Sequence, residues 1–449
     1  MEGSTIAAIA TPPGQGGIAV IRLSGPESYA VARQIFTPKN ANKTLDKIPG
    51  YTAVYGIYSD GAVEIDDGIV LCFRAPHSYT GEDVLELSCH GGEAISRALL
   101  EACLKAGAQP AGPGEFTRRA VLNGRMSLTQ AEAVMDLISA AGKSAAAAAR
   151  TAAAGALQRE ISRMKEQLVT LAGHLAAWTD YPEEDVEELE MDTFSGVVSG
   201  VKNGLEGLIG GYDRGSLVRR GVRTAIVGSP NVGKSTLFNL MSGFEHAIVT
   251  PVAGTTRDVV REQISLGGVV LLLADTAGLH STEDVVEKEG IRRTKVEMEN
   301  AQLVIAVFDG SQPLRAEELA FAGDCGGRPA LAVVNKSDLG LAFAPELLAP
   351  YYNEVVVVSA LEPDTAQAIE NAVKRVLLLK DFDPEAAMLA NSRQLAAAVE
   401  ARDALDGALQ GLALGLDAAG VCLEDAIRAL AHLTGEDATE AVINEVFSK

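Results

Sequence analysis

The chain is poor in what several protein classes require. Its five cysteines (Cys72, Cys89, Cys103, Cys325, Cys422) are scattered, and none forms a CxxC pair. An odd, dispersed set in so long a chain excludes a disulfide framework and reads as reduced thiols, which points to the cytoplasm. No apolar run reaches the roughly 18 uncharged residues that a membrane-spanning helix needs, so no membrane association is expected. Met1 is followed by small and polar residues, not by a basic stretch and an apolar one, so no secretory leader is expected. Positive charge is scarce: 38 Lys and Arg stand against 60 Asp and Glu, a formal net charge of −22. That balance argues against a generic nucleic-acid coat, which needs Lys and Arg against phosphate, and leaves room for a local basic patch. The last absence is a single side chain. Asp275-Thr276-Ala277-Gly278 has the form that GTPases place beside a γ-phosphate, and Ras-type enzymes follow it with a water-orienting Gln. Here the position holds Leu279, which neither donates nor accepts a hydrogen bond. Either the site does not hydrolyse GTP, or another group does the work of the Gln.

What is present is ample core. Of 449 residues, 47% are apolar and 22% charged, as in ordinary globular proteins, and the length suits about three domains. Residues 1–120 alternate strand and turn. "STIAAIATPPGQGGIAVIRLSG" gives two β-rich runs around a Pro/Gly turn. "YTAVYGIYSDGAVEIDDGIVLCFRAP" reads as strands joined at Asp60-Gly61 and Asp67-Gly68, and "EDVLELSCHGG" as another. Residues 93–106 read as a helix that Gly107 can end, which makes this an α+β domain. From about Ser127 the pattern turns helical, with Ser127 at the N-cap and long Ala-rich stretches behind it. The acidic run Glu183–Glu190 reads as a solvated turn and helix start. Near Gly221 a new unit begins. "RTAIVG", "VVLLLADTAG", "LVIAVFDG", "ALAVVNKSD" and "EVVVVSA" are apolar runs mostly separated by helix, the mark of a parallel sheet buried on both faces. From about Pro384 Ala/Leu-rich helix returns. The expected fold is therefore a multidomain α+β and α/β chain: residues 1–120 an α+β domain, 121–215 and 381–449 two parts of one helical domain, and 216–380 a nucleotide-binding insertion between them.

That insertion carries its chemistry in order. "GSPNVGKST", Gly228 to Thr236, is a complete P-loop between a strand and a helix. Its backbone N–H groups (Asn231, Val232, Gly233, with Ser235 and Thr236 opening the helix) would close around phosphate, helped by the helix N-terminus. Lys234 would reach the β- and γ-phosphates and Ser235 would ligate Mg²⁺. Gly254-Thr255-Thr256-Arg257-Asp258 follows, with Thr256 placed to close over Mg²⁺, and Asp275–Gly278 comes next. Asn335-Lys336-Ser337-Asp338 ends a strand, and the Asp338 carboxylate can accept both guanine N1–H and the 2-amine, a pair adenine lacks. Ser359-Ala360 ends a further strand, where a backbone N–H meets guanine O6. Together these motifs read as a Ras-like GTPase domain.

"TPPGQGGIAVIRLSG", "SYTGEDVLELSCHGG" (Ser78–Gly92), "PGEFTRRAVLNGRMSLTQAEAV" (Pro113–Val134), "PNVGKST", "GTTRD" and "DTAG" followed by an apolar residue together resemble the MnmE (TrmE) family, the tRNA-modifying GTPases of bacteria and organelles, over essentially the whole chain. The resemblance implies a replacement for the missing Gln: a K⁺ beside the β- and γ-phosphates, held by Asn231 and by the segment Thr250–Thr255 (Thr250, Pro251, Val252, Ala253, Gly254, Thr255), chiefly Thr250, Val252 and Thr255. Such a cation offsets charge on the leaving oxygen much as an arginine finger does. It implies full action only when two G domains meet, and a water-orienting Glu in "VEKEGI", Glu287. From the residues alone, Asn231 also reads as a turn residue and Glu287 as an exposed helix-start carboxylate. The resemblance further implies that residues 1–120 bind a 5-formyl- or methylenetetrahydrofolate and dimerise, with Glu86 facing the pterin 2-amino/N3 edge and Arg22 and Arg125 as basic contacts; on pattern alone Glu86 and Arg22 are surface residues. Arg125 stands where the family often has Lys, which alters contact geometry. The family's terminal F-[SN]-x-F-C-[IV]-G-K is not matched: the sequence stops at Phe447-Ser448-Lys449, either cut short there or lacking the Cys, so GTPase activity is expected to survive while competence in modification is in doubt. Cys422, on an apolar helical face, reads as core, not as its substitute.

The expected protein is thus a cytoplasmic, homodimeric GTPase. With a flavin-dependent, MnmG (GidA)-like FAD partner, in a heterotetramer or larger complex, it would add a (carboxymethyl)aminomethyl group to C5 of the wobble uridine of certain tRNAs. The alternative is a regulatory or ribosome-assembly switch with no one-carbon chemistry, and a third reading holds nucleotide without cleaving it.

Overall fold

The computed structural model describes residues 3–180, 190–244, 260–274, 298–316, 318–319, 327–412, 415–437, 439, 443 and 446–447. Contacts divide the chain into two compact units, Met1–Ala131 with Thr434–Lys449, and Glu132–Leu433.

In the first unit, β1 (Ile6–Ile9), β2 (Ile18–Ser24), β3 (Phe36–Pro38), β4 (Thr52–Ser59), β5 (Glu64–Phe73), β6 (Val84–His90) and β7 (Gln109–Pro110) form one sheet in the order β3-β4-β5-β6-β2-β1-β7. All pairs are antiparallel except β1 with β7. One face packs the helices Ser28–Ile35 and Glu93–Lys105 over Ile21, Leu23, Val54, Tyr58, Leu85 and Leu87, with Leu99 of the second helix in the same core. The alternation expected of a half-covered antiparallel sheet is plain in β6, where Leu85, Leu87 and Cys89 are buried and Glu86, Ser88 and His90 face outward. The Asp60-Gly61 turn is present between β4 and β5, but Asp67-Gly68 is not a turn. Gly68 lies within β5 opposite Gly56, and a Cβ there would collide with the Ser88 carbonyl and sit 2.8 Å from the Tyr58 ring. The glycine answers a close approach of strands, not a reversal of the chain.

The second unit contains a helical bundle and a six-stranded sheet. Helices Ala156–Asp180, Met191–Arg220, Ser392–Gly411 and Leu416–Thr434 share one core: Ile161, Leu168 and Leu175 meet Phe194, Val198, Leu205, Ala401, Leu405, Leu423 and Leu430. Two helices precede the sheet in the chain and two follow it, so the helical domain is a single body interrupted by the sheet. Cys422 packs against this core, as its apolar face predicts. At the end of the first unit the capping box at Ser127 is formed: the Gln130 N–H donates to Ser127 Oγ at 3.3 Å, and the Ser127 N–H donates to Gln130 Oε1 at 3.0 Å.

The interrupting sheet is β8 (Val222–Val227), β9 (Val260–Leu266), β10 (Val269–Ala274), β11 (Leu303–Asp309), β12 (Ala330–Asn335) and β13 (Glu354–Val357), in the order β13-β12-β11-β8-β10-β9. β8, β10, β11, β12 and β13 run parallel; β10, β11 and β12 are buried almost throughout and β8 mostly, as double coverage requires, while the edge strand β13 is only partly buried. The departure from an all-parallel sheet is β9, which pairs antiparallel with β10 across Gly267-Gly268. Both glycines have positive φ, 64° and 82°, which suits a two-residue hairpin turn.

Candidate functional site

The nucleotide motifs converge because parallel strands end on the same side. β8 runs into the P-loop, β11 ends at Asp309, β12 at Asn335, and β13 leads to Ser359-Ala360. From β8 the order proceeds to β11 on one side and β10 on the other, and such a divergence opens a crevice at the carboxyl ends.

The P-loop turns through left-handed backbone at Asn231 (φ 64°) and Gly233 (φ 98°) before the helix Lys234–Phe244 begins. A Cβ on Gly233 would overlap the Asn335 amide, and one on Gly228 the Val307 carbonyl, so both glycines let the loop lie close against the ends of β11 and β12. Lys234 Nζ donates to the carbonyls of Gly228 at 2.9 Å and Ser229 at 2.8 Å, so the ammonium crosses the mouth of the loop. Burial lowers its pKa below the ordinary lysine value.

Asn335 is 2% exposed. Its Nδ2 donates to the Val232 carbonyl and its Oδ1 accepts from the Ala360 N–H, both at 2.9 Å. One side chain therefore fastens the P-loop to the Ser359-Ala360 loop. Lys336, itself at φ 64°, donates to the Asn231 carbonyl at 2.7 Å and to Asp309 Oδ2 at 2.6 Å. Burial pushes the Asp309 carboxyl up, but hydrogen bonds from Lys336 and Ser311 outweigh it and hold the pKa below the usual carboxylate range. Asp338 lies exposed on the short 3-10 turn Ser337–Leu339, open to a ligand. Ser359 is buried, and its carbonyl accepts from Thr365 Oγ1 at 2.6 Å. Thr236 is exposed and Ser235 partly buried at the helix start.

The structure thus brings together Asn231, Val232, Gly233, Lys234, Ser235, Asn335, Lys336, Asp338, Ser359 and Ala360. Thr250, Pro251, Val252, Ala253, Gly254, Thr255, Thr256, Asp275, Thr276, Ala277, Gly278 and Glu287 lie outside the described residues. Asp309 and Glu318 escaped the sequence reading. Glu318 Oε1 accepts from Ser229 Oγ at 2.7 Å. The only sequence signal was a carboxylate closing the apolar β11 run.

In the first unit Arg22 and Glu86 face each other across β2 and β6. Arg22 Nε and Nη2 donate to Glu86 Oε1 at 3.0 and 2.7 Å, and the pair is about a quarter exposed. The guanidinium also lies 5.1 Å from the Tyr79 ring centre and 5.5 Å from that of Phe116. Arg125 donates through Nε to the Ser78 carbonyl at 3.1 Å, and Asn123 Nδ2 to the Thr80 carbonyl at 2.7 Å. The loop that carries Tyr79 therefore joins Arg125 to the Arg22–Glu86 pair.

A P-loop, a buried Asn that ties it to the loop after β13, and an exposed Asp three residues after that Asn define a P-loop nucleotide-binding domain of the G-domain type. A family model described as the GTP-binding protein TrmE N-terminus matches residues 5–125, and one described as the MnmE helical domain matches residues 128–449. The chain is 42% identical over 458 residues to a tRNA modification GTPase MnmE of Symbiobacterium thermophilum, covering 100% of this chain and 99% of that protein. It is 38% identical over 451 residues to the protein of the same name from Lactobacillus gasseri, covering 99% and 97%. Among solved structures, the FeoB G-domain of Methanococcus jannaschii is 23% identical, with a TM-score of 0.26 over 35% of this chain and 98% of that one. Aquifex aeolicus Era bound to GDP.AlF4− is 25% identical, with a TM-score of 0.25 over 41% and 66%. The chain belongs to the MnmE family of tRNA modification GTPases.

Proposed function

We propose that the chain binds and hydrolyses GTP in a K⁺-dependent manner, as a homodimer in the cytoplasm. With a flavin-dependent partner it would add an aminomethyl-type group to C5 of the wobble uridine of certain tRNAs. Residues 216–380 are the G domain, 121–215 and 381–449 the helical domain, and 1–120 the folate and dimerisation domain. The observation that carries the GTP reading is the Asn335 bridge, which couples the P-loop to the base-reading loop. Asp338, exposed three residues on, selects guanine by accepting two donors at once. The backbone N–H groups of Asn231 to Ser235 orient phosphate, and Lys234 supplies a cation to the β- and γ-oxygens. The left-handed turns at Asn231 and Gly233 lead into the N-terminus of the helix Lys234–Phe244, whose N–H groups and Lys234 ammonium fit a phosphate chain. Ser235 and Thr256 would hold Mg²⁺, and Asn231, Thr250, Val252 and Thr255 would hold K⁺. Bound there, the cations offset negative charge on the leaving oxygen. Glu287 orients the attacking water in place of the Gln that Leu279 displaces. No helix among the described residues is long and apolar enough to cross a membrane.

A carboxylate paired with an arginine that lies by two aromatic rings fits a pterin, which offers paired donors and a stacking face. Glu86 would accept from the 2-amine and N3–H, with Arg22 and Arg125 as basic contacts. When bound, the folate supplies the one-carbon unit. Titrating 5-formyltetrahydrofolate onto the full chain separates this reading from a regulatory or ribosome-assembly switch, which needs no one-carbon site. Saturable binding lost in Glu86→Gln supports it, and absence of binding favours the switch.

A further inference from the structure

We propose that Asp309 is a positioning residue of the nucleotide site, holding the P-loop turn at Asn231 through Lys336. The inference rests on the reading of the P-loop as a guanine-nucleotide site and adds a residue to it.

Asn231 stands at φ 64°, a left-handed conformation that Asn tolerates better than most L residues, and Lys336 stands at the same φ, where a long side chain needs support from its surroundings. Its carbonyl is held from outside the loop by Lys336 Nζ at 2.7 Å. A lysine stem has four carbons and many rotamers, so an ammonium alone is a poor clamp. Lys336 is fixed at its far end by Asp309 Oδ2 at 2.6 Å. Asp309 is fixed in turn: its Oδ1 accepts from the Ser311 N–H at 3.0 Å and from Ser311 Oγ at 2.6 Å. The Asp309 side chain is 16% exposed and that of Lys336 30%, so the pair is screened less than one in open solvent. The chain of contacts therefore runs from a turn at the end of β11, through the lysine beside the base-reading Asp338, to the residue assigned to K⁺. Among the described residues, Asp309 bonds to Ser311 and Lys336 and to no residue of the P-loop. Its influence passes through Lys336, and this gives the proposal a distinct signature.

The test uses the full chain and follows release of fluorescent N-methylanthraniloyl-GDP, chased by unlabelled GDP in sodium buffer, so that no K⁺ enters. Asp309→Asn keeps the shape and removes the charge, and release should quicken about tenfold, the scale of a lost charge-assisted hydrogen bond. Lys336→Met should quicken release at least as much. The double variant should be no faster than Lys336→Met alone, because the two act in series. A purely structural role for Asp309 would instead multiply the two effects and lower the melting temperature in step with them. Unchanged release in Asp309→Asn, or multiplied effects in the double variant, overturns the proposal. Should Asp309→Asn fail to fold by circular dichroism, Ser311→Ala decides by the same readout, with a two- to threefold increase expected and no increase contradicting it. A parent chain that retains no guanine nucleotide would remove the site reading itself, whereas normal retention with unaltered release in the variants removes only Asp309.

Discussion

Asn335→Ala removes a side chain that is 2% exposed and bonded on both edges. The truncation strands the Val232 carbonyl and the Ala360 N–H in a buried place. An unsatisfied buried group costs about 1–3 kcal/mol, and solvent entering at a loop relieves part of it, so the local opening free energy should fall by about 2–3 kcal/mol. In hydrogen exchange followed by mass spectrometry, that corresponds to roughly 30- to 150-fold faster exchange at the Ala360 amide, with the core strands β11 and β12 little changed. Asn335→Asp makes a finer distinction. It keeps an acceptor for the Ala360 N–H but sets an oxygen against the Val232 carbonyl. Protection at Ala360 should then largely survive while the P-loop amides lose theirs. Guanine-nucleotide affinity should drop in both variants. Unaltered exchange at Ala360 in Asn335→Ala, with nucleotide bound as in the parent, would refute the idea that this side chain couples the two loops.

Further outcomes follow from other parts of the molecule. Glu86→Gln should abolish measurable 5-formyltetrahydrofolate binding in calorimetry yet shift thermal stability little, since a partly exposed ion pair contributes only about 0–1 kcal/mol. Gly68→Ala should destabilise the first unit by about 1–3 kcal/mol in denaturant titration, because its Cβ meets the Ser88 carbonyl within the sheet. The His90 imidazole is hydrogen-bonded to Asp66 Oδ1 at 2.8 Å, and that bond followed by the carboxylate's charge raises its pKa above 6.5. The stabilisation it gives is complete below 6.5 and fades as pH rises through the raised value. An NMR titration of His90 should have its midpoint above 6.5, falling to the ordinary value in Asp66→Asn.

Much of the site was legible because its signals are local. The P-loop is nine consecutive residues between a strand and a helix, and its geometry follows from glycines at fixed offsets. The interruption of the helical domain was legible too, since Ala- and Leu-rich helices on both sides of the sheet need one another's apolar faces. What escaped depends on distant pairing. Asn335 reaches Val232 across 103 positions, and Arg22 meets Glu86 across 64, through a strand register that periodicity alone does not set. Asp309 was hidden for the same reason: a carboxylate at the end of an apolar run looks like any strand terminus until Lys336 arrives beside it. Asp67-Gly68 misled in the opposite sense. The dipeptide is a strong turn signal, but β4 and β6 press on Gly68 from both sides, and that requirement lies outside its own segment.

On the proposed mechanism, an alkali cation and Glu287 do the work that a Gln at position 279 would do. GTP turnover by the full chain, measured in KCl and in NaCl at equal ionic strength, with Glu287→Ala beside the parent, tests it most directly. Turnover should be much faster in KCl and lost in Glu287→Ala; equal rates in the two salts, or a variant as active as the parent, would refute the cation-and-Glu287 mechanism.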